Sequence, residues 1–188
     1  MVAFKQRGGD DLEPDEENEN QVRAREFLKY FGIQEGNTVV LVGTTEDGEV
    51  AKEVLRRDAN LILIDTYEPL IGEYRKMLDR EFPDVEGEMD LRAVDFPRVK
   101  IPDGADLVVF GDIINSPFER NPRGYLEKAC EITQNKGCIA LCDVFMQEHN
   151  RDFVERTAHN LGYHIEHQGS LAYDKRGHVA DSWFCTKL

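Results

Sequence analysis

No apolar run in this chain approaches the ~20 residues that cross a bilayer as a helix. Residues 1–20 are polar and lack the hydrophobic core of a secretory leader. These absences predict a soluble, cytoplasmic protein that does not enter a membrane. Basic clusters are also missing. Arg56 with Arg57 and Arg75 with Lys76 are short pairs set among acids, and the formal net charge is −14. Such a field repels a nucleic-acid backbone, so nucleic acid is not the expected partner. Cysteine is sparse. Cys138 and Cys142 have no companion pair to complete a structural zinc site, and no metal is expected. Cys130, Cys138, Cys142 and Cys185 read as free thiols, mostly packed in apolar surroundings.

What is present suits one globular domain. The chain has 188 residues, of which 40% are hydrophobic, enough for a layered core. Residues 1–20 have little to bury and predict a disordered acidic arm. Residues 21–188 form the domain. Helix is predicted from Gln21 to Phe31, stopped by Gly32. Thr38 to Val42 is a continuous β-branched run, the pattern of a strand covered on both faces. Helix follows from Glu49 to Arg57. A second strand covers Leu61 to Ile64, and a helix begins at Pro69 and runs to Phe82. Leu91 to Val94 and Asp106 to Phe110 are the third and fourth strands. Tyr125 to Thr133 is helix, Cys138 to Asp143 the fifth strand and Gln147 to Leu161 helix. This alternation predicts an α/β three-layer Rossmann-like sheet, mostly parallel. The ending differs in kind. Tyr163 to Tyr173 and His178 to Cys185 read as strands joined by a short polar loop, so one of them is antiparallel to the rest.

The chemistry gathers at strand ends. In such a sheet, ligands bind beyond the carboxyl ends of the strands, where the strand order reverses. The first strand ends at Gly43, and the loop continues through Thr44, Thr45, Glu46 and Asp47 to Gly48. Gly43 permits a tight turn under a ligand, and Gly48 lets the next helix start close to the strand. Asp65 follows about twenty residues later, at the end of the second strand and before Thr66. An acid there accepts from ribose hydroxyls, or else caps a helix. Asp95 ends the third strand. It can accept from an adenine amino group while Phe96 packs on the ring.

This layout resembles the class I S-adenosylmethionine-dependent methyltransferases, from Gln21 to the end of the chain. In that family the first strand leads into a glycine-rich loop, and the second and third end in acids for ribose and adenine. The sheet closes with an antiparallel strand reached through a hairpin. The resemblance implies S-adenosylmethionine as cofactor, held by Gly43, Thr44, Thr45, Gly48, Asp65, Thr66, Asp95 and Phe96. Glu46 and Asp47 would face its ammonium group. The match departs from the family pattern in three places. Leu41 stands where the family carries an acid, Thr45 replaces the second glycine, and the last glycine comes one residue late, at Gly48.

The acceptor side is thinner. Asn115 to Phe118 loosely resembles the Asn-Pro-Pro-aromatic motif of amino-methylating members, with Ser116 in place of a proline. Asp112 lies close to the end of the fourth strand and can orient an acceptor. His149, beyond Asp143, is a candidate general base, or else a solvated histidine at a helix start. The expected partner is a small-molecule or protein methyl acceptor, and self-association is left open. Two rivals stand beside methyl transfer. One is a methyltransferase-like protein that binds a nucleoside or a partner without catalysis. The other is a nicotinamide enzyme, because Gly43-x-Thr45-x-x-Gly48 mimics a dinucleotide loop without its middle glycine. The hairpin ending and the lack of a Tyr-x-x-x-Lys pair count against the second.

Overall fold

The computed structural model describes residues 19–43, 48–101, 104–111, 121–143, 148–172 and 179–187. Five helices and seven strands alternate in these segments: α1 Glu19–Tyr30, β1 Thr38–Val42, α2 Glu49–Arg56, β2 Asn60–Asp65, α3 Glu68–Glu81, β3 Met89–Ala93, β4 Ala105–Gly111, α4 Pro122–Ile132, β5 Thr133–Asp143, α5 Glu148–Asn160, β6 Tyr163–Ala172 and β7 Val179–Lys187. A 3₁₀ turn spans Phe96–Arg98.

The strands form one sheet in the order β3-β2-β1-β4-β5-β7-β6. The chain winds outward from β1 through β2 to β3, then returns to the other side of β1 with β4. That reversal between β1 and β4 is the switch point. Pairing is parallel from β3 to β5. β7 is antiparallel to both β5 and β6, so β7 alone is reversed, as the hairpin ending predicts.

Strand periodicity builds two cores. Val39 and Leu41 of β1, Leu61 and Leu63 of β2, and Leu107 and Val109 of β4 point to one face. There they meet Phe27 and Leu28 of α1, Val54 and Leu55 of α2, and Tyr74 and Leu78 of α3. Val40, Val42, Ile62, Ile64, Val108 and Phe110 point to the other face, against Phe96, Tyr125, Leu126 and Ala158. Because both faces are covered, these strands carry no polar alternation.

Local signals set the ends. Gly32 closes α1 at φ 67°, with Ile33 N–H donating to Leu28 O at 3.0 Å. Pro69 lies in the first turn of α3. Most boundaries shift from expectation by a few residues, and two shifts are instructive. β3 stops at Ala93, and the bond from Val94 N–H to Asp65 O at 2.9 Å is the last of its ladder with β2. β5 starts early, at Thr133, through a register shift on β4 between Ala105 and Leu107. Of the expected arm, residues 1–20, the first eighteen lie outside the described residues, while Glu19 and Asn20 belong to α1 rather than to an arm.

The charged surface fits the reading of short basic pairs among acids. Arg56 pairs with Glu49 and Glu53, and Arg57 with Glu53, whose carboxylate is buried. Arg57 also donates to Ile33 O and Arg25 O, tying α2 to α1. These guanidiniums are therefore spent on structure. Cys130 and Cys138 are buried. No described helix is long and apolar enough to cross a membrane.

Candidate functional site

Three strand ends lie side by side at one rim. Val42 pairs with Ile64 on one side and Phe110 on the other. Gly43 therefore stands between Asp65 and Gly111, at the switch point. Its N–H donates to Ile64 O at 2.8 Å, and its φ is 82°, in the left-handed region that favours glycine. Asp65 pairs with Ala93 of β3. Its Oδ1 accepts from Tyr67 N–H at 2.8 Å, which fixes the carboxylate against the turn into α3. This is an Asx turn ahead of α3, whose N-cap is Tyr67, rather than the expected helix cap. It does not exhaust the group, since a carboxylate accepts about four hydrogen bonds.

Asp95 follows β3 and is bound from below. The Tyr125 hydroxyl of α4 donates to Asp95 Oδ1 at 2.8 Å. Arg98 Nε sits 3.6 Å from Oδ2, with its own side chain 83% exposed. The Asp95 side chain is 36% exposed, so it also faces solvent. Burial pushes the Tyr125 hydroxyl well above the usual tyrosine range, and the carboxylates of Asp95 and Asp65 push it further. Asp65 pairs with Ala93, two residues before Asp95, so the two acids share one neighbourhood.

Phe96 is placed differently from expectation. It is 1% exposed and packs edge-on to Phe110, with ring centroids 5.5 Å apart, and against Tyr125. Its ring belongs to the core and has no face for a ligand. Tyr67 does, at 62% exposure and two residues past Asp65. Sequence reading passed over it because it falls in a turn with no periodic pattern. Tyr125 was read only as a helix residue, since its link to Asp95 spans 30 positions.

Gly48 also departs from expectation. At φ 66° it precedes α2, but an added Cβ would lie 3.0 Å from Met77 Cε and 3.1 Å from Tyr74 Cε1. The close approach is to α3 rather than to the strand. Thr66 is exposed beside Asp65. Thr44, Thr45, Glu46, Asp47, Asp112 and Asn115 lie outside the described residues. His149 falls in the first turn of α5, and its side chain is outside them too. A groove of about 370 Å³, lined by Glu155, Arg156, His159, Asn160, Tyr163 and His164, opens where β6 begins. β6 runs parallel to β5, so this groove is at the opposite rim from the acids.

No protein-family model matches the sequence, and no curated protein matches it. Solved structures do match. Magnesium protoporphyrin IX methyltransferase from Synechocystis PCC 6803, with bound SAM, superposes with a TM-score of 0.68 at 13% identity, over 89% of this chain and 79% of that one. A SAM-dependent methyltransferase from Aquifex aeolicus gives 0.65 at 14% identity, over 90% and 94%. A methyltransferase from Pyrococcus furiosus gives 0.67 at 14% identity, over 89% and 83%. The chain therefore has the class I Rossmann-like methyltransferase fold.

Proposed function

We propose that this protein is an S-adenosylmethionine-dependent methyltransferase. The observation that carries the reading is the pair of carboxylates, Asp65 at the end of β2 next to Gly43 and the switch point, and Asp95 two residues past the end of the neighbouring β3. Ribose hydroxyls and an adenine amine are donors, and both acids are acceptors, so the group fits the residues present. Asp65 would hold the ribose and Asp95 the adenine. Tyr67 offers the aromatic face that Phe96 does not. Thr66 borders the ribose, Gly43 lets the backbone pass close, and Gly48 seats α2 against α3. Thr44 and Thr45 complete the loop.

When bound, the cofactor supplies a methyl group on a sulfonium, already a good leaving group. The chain's own task is alignment and the exclusion of water. That demand needs no strong nucleophile motif, which is consistent with the sparse acceptor side. Asp112, Asn115 and His149 are the proposed acceptor-side residues. Asp112 and Asn115 orient the acceptor, and His149 takes a proton where the acceptor must lose one. The acceptor is a small molecule or a protein group.

Calorimetric titration of the full chain with S-adenosylhomocysteine tests the reading. Binding is expected, and Asp65→Ala should weaken it at least tenfold, in line with the ~1.5–3 kcal/mol of a charged hydrogen bond. Absence of binding by the unaltered protein overturns the reading. Binding without methylation of any acceptor would select the non-catalytic alternative.

A further inference from the structure

We infer that Tyr125 is a positioning residue that aims Asp95 and thereby sets selectivity for a 6-aminopurine over a 6-oxopurine. The inference rests on the adenosyl site proposed above and concerns a residue on a distant helix.

The geometry is specific. Tyr125 is 3% exposed, and its ring is clamped in a three-ring cluster with Phe96 and Phe110, at centroid separations of 5.7 and 6.2 Å. Its hydroxyl therefore has little freedom, and it donates to one oxygen of Asp95 at 2.8 Å. Arg98 approaches the other oxygen, Oδ2, at 3.6 Å from an exposed stem. Two donors thus hold one carboxylate, each at its own oxygen. The buried hydroxyl has a fixed position, whereas an exposed ion pair is worth little. Tyr125 therefore sets the orientation. Asp95 is then held in one orientation, with acceptor capacity left over at the solvent side.

A fixed carboxylate can accept from a purine 6-amino group. A 6-oxo group presents only lone pairs to it and is repelled. Without the Tyr125 hydroxyl, Asp95 turns toward Arg98 and water. The acceptor is then no longer aimed, and the penalty on a 6-oxo group fades with it.

The test compares S-adenosylhomocysteine with S-inosylhomocysteine by calorimetry on the full chain. Unaltered protein should favour the adenosyl ligand. Tyr125→Phe keeps the ring in its clamp and should lose about tenfold in adenosyl affinity, about 1.4 kcal/mol. Affinity for the inosyl ligand should rise rather than fall as its repulsion fades, so the ratio between ligands drops by at least the same factor. A tyrosine that only supports the fold would weaken both ligands alike, and an unchanged ratio overturns the inference while leaving the adenosyl site standing. Failure of the unaltered protein to bind either ligand overturns both. A second readout needs no variant. With tyrosines labelled at ¹³Cζ, the Tyr125 resonance should move on adding the adenosyl ligand and not the inosyl one; an equal response to both, or none, refutes the assignment.

Discussion

Replacing Gly48 by alanine isolates what this glycine contributes. Its φ of 66° lies in the left-handed region, where a Cβ costs about 1–2 kcal/mol. The new methyl would also meet Met77 Cε at 3.0 Å and Tyr74 Cε1 at 3.1 Å. Met77 is flexible and can give way, but Tyr74 is buried at 6% exposure and cannot. Overpacking of this kind costs about 1–3 kcal/mol, and the methionine's freedom puts it at the low end. Gly48→Ala should therefore lose about 2–3 kcal/mol in all. Gly36 provides the control. It has φ 75°, and nothing lies within 4 Å of an added Cβ, so Gly36→Ala should lose only the conformational part, about 1 kcal/mol. Urea unfolding followed by circular dichroism measures both. The midpoint should fall two to three times as far for the first variant, with the slope unchanged. Adding Met77→Ala should recover part of the Gly48→Ala loss. Equal losses at the two glycines would refute the claim that α2 is seated by contact with α3.

Other outcomes follow from the same structure. Tyr125 holds its proton in the folded protein above the ordinary value of 10.0, so alkaline pH strips the unfolded chain first. Stability is then intact below pH 10 and falls as pH rises beyond it, by up to about 1.4 kcal/mol per unit, until Tyr125 itself ionises. Tyr125→Phe should show a shallower alkaline decline in unfolding experiments, and identical slopes would refute the buried hydroxyl. Gly87→Ala places a Cβ 2.5 Å from Ala59 O, a backbone atom that cannot move alone. It should lower the melting temperature by about 3–10 °C, from a cost of ~1–3 kcal/mol; no change would contradict the close approach of that turn to β2.

The order of elements was legible because each left a local trace. The run from Thr38 to Val42 marks a doubly covered strand without reference to anything distant, and β1 has those bounds. Gly32 and Pro69 mark helix ends because left-handed φ and a missing N–H are properties of single residues. The final hairpin was legible for the same reason, since no helix fits between its strands. Asp65 was legible as a strand end because strand length is local, whereas Asp95 lies two residues beyond β3, ahead of a 3₁₀ turn.

What the tertiary structure alone decided is which side chains those ends keep for themselves. Phe96 and Tyr67 are both aromatic and both follow an acid, yet one is sealed in the core and the other stands in water. Nothing local separates them; the difference is set by Phe110 and Tyr125 arriving over Phe96 from other elements. The grip of Tyr125 on Asp95 likewise crosses 30 residues and depends on how α4 lies on the sheet. Gly48 was visible as a turn glycine, but its neighbour proved to be α3. Periodicity and turn chemistry act over a few residues and are written in the chain. Burial and partnership depend on packing between distant elements, so they exist only once the layers have closed.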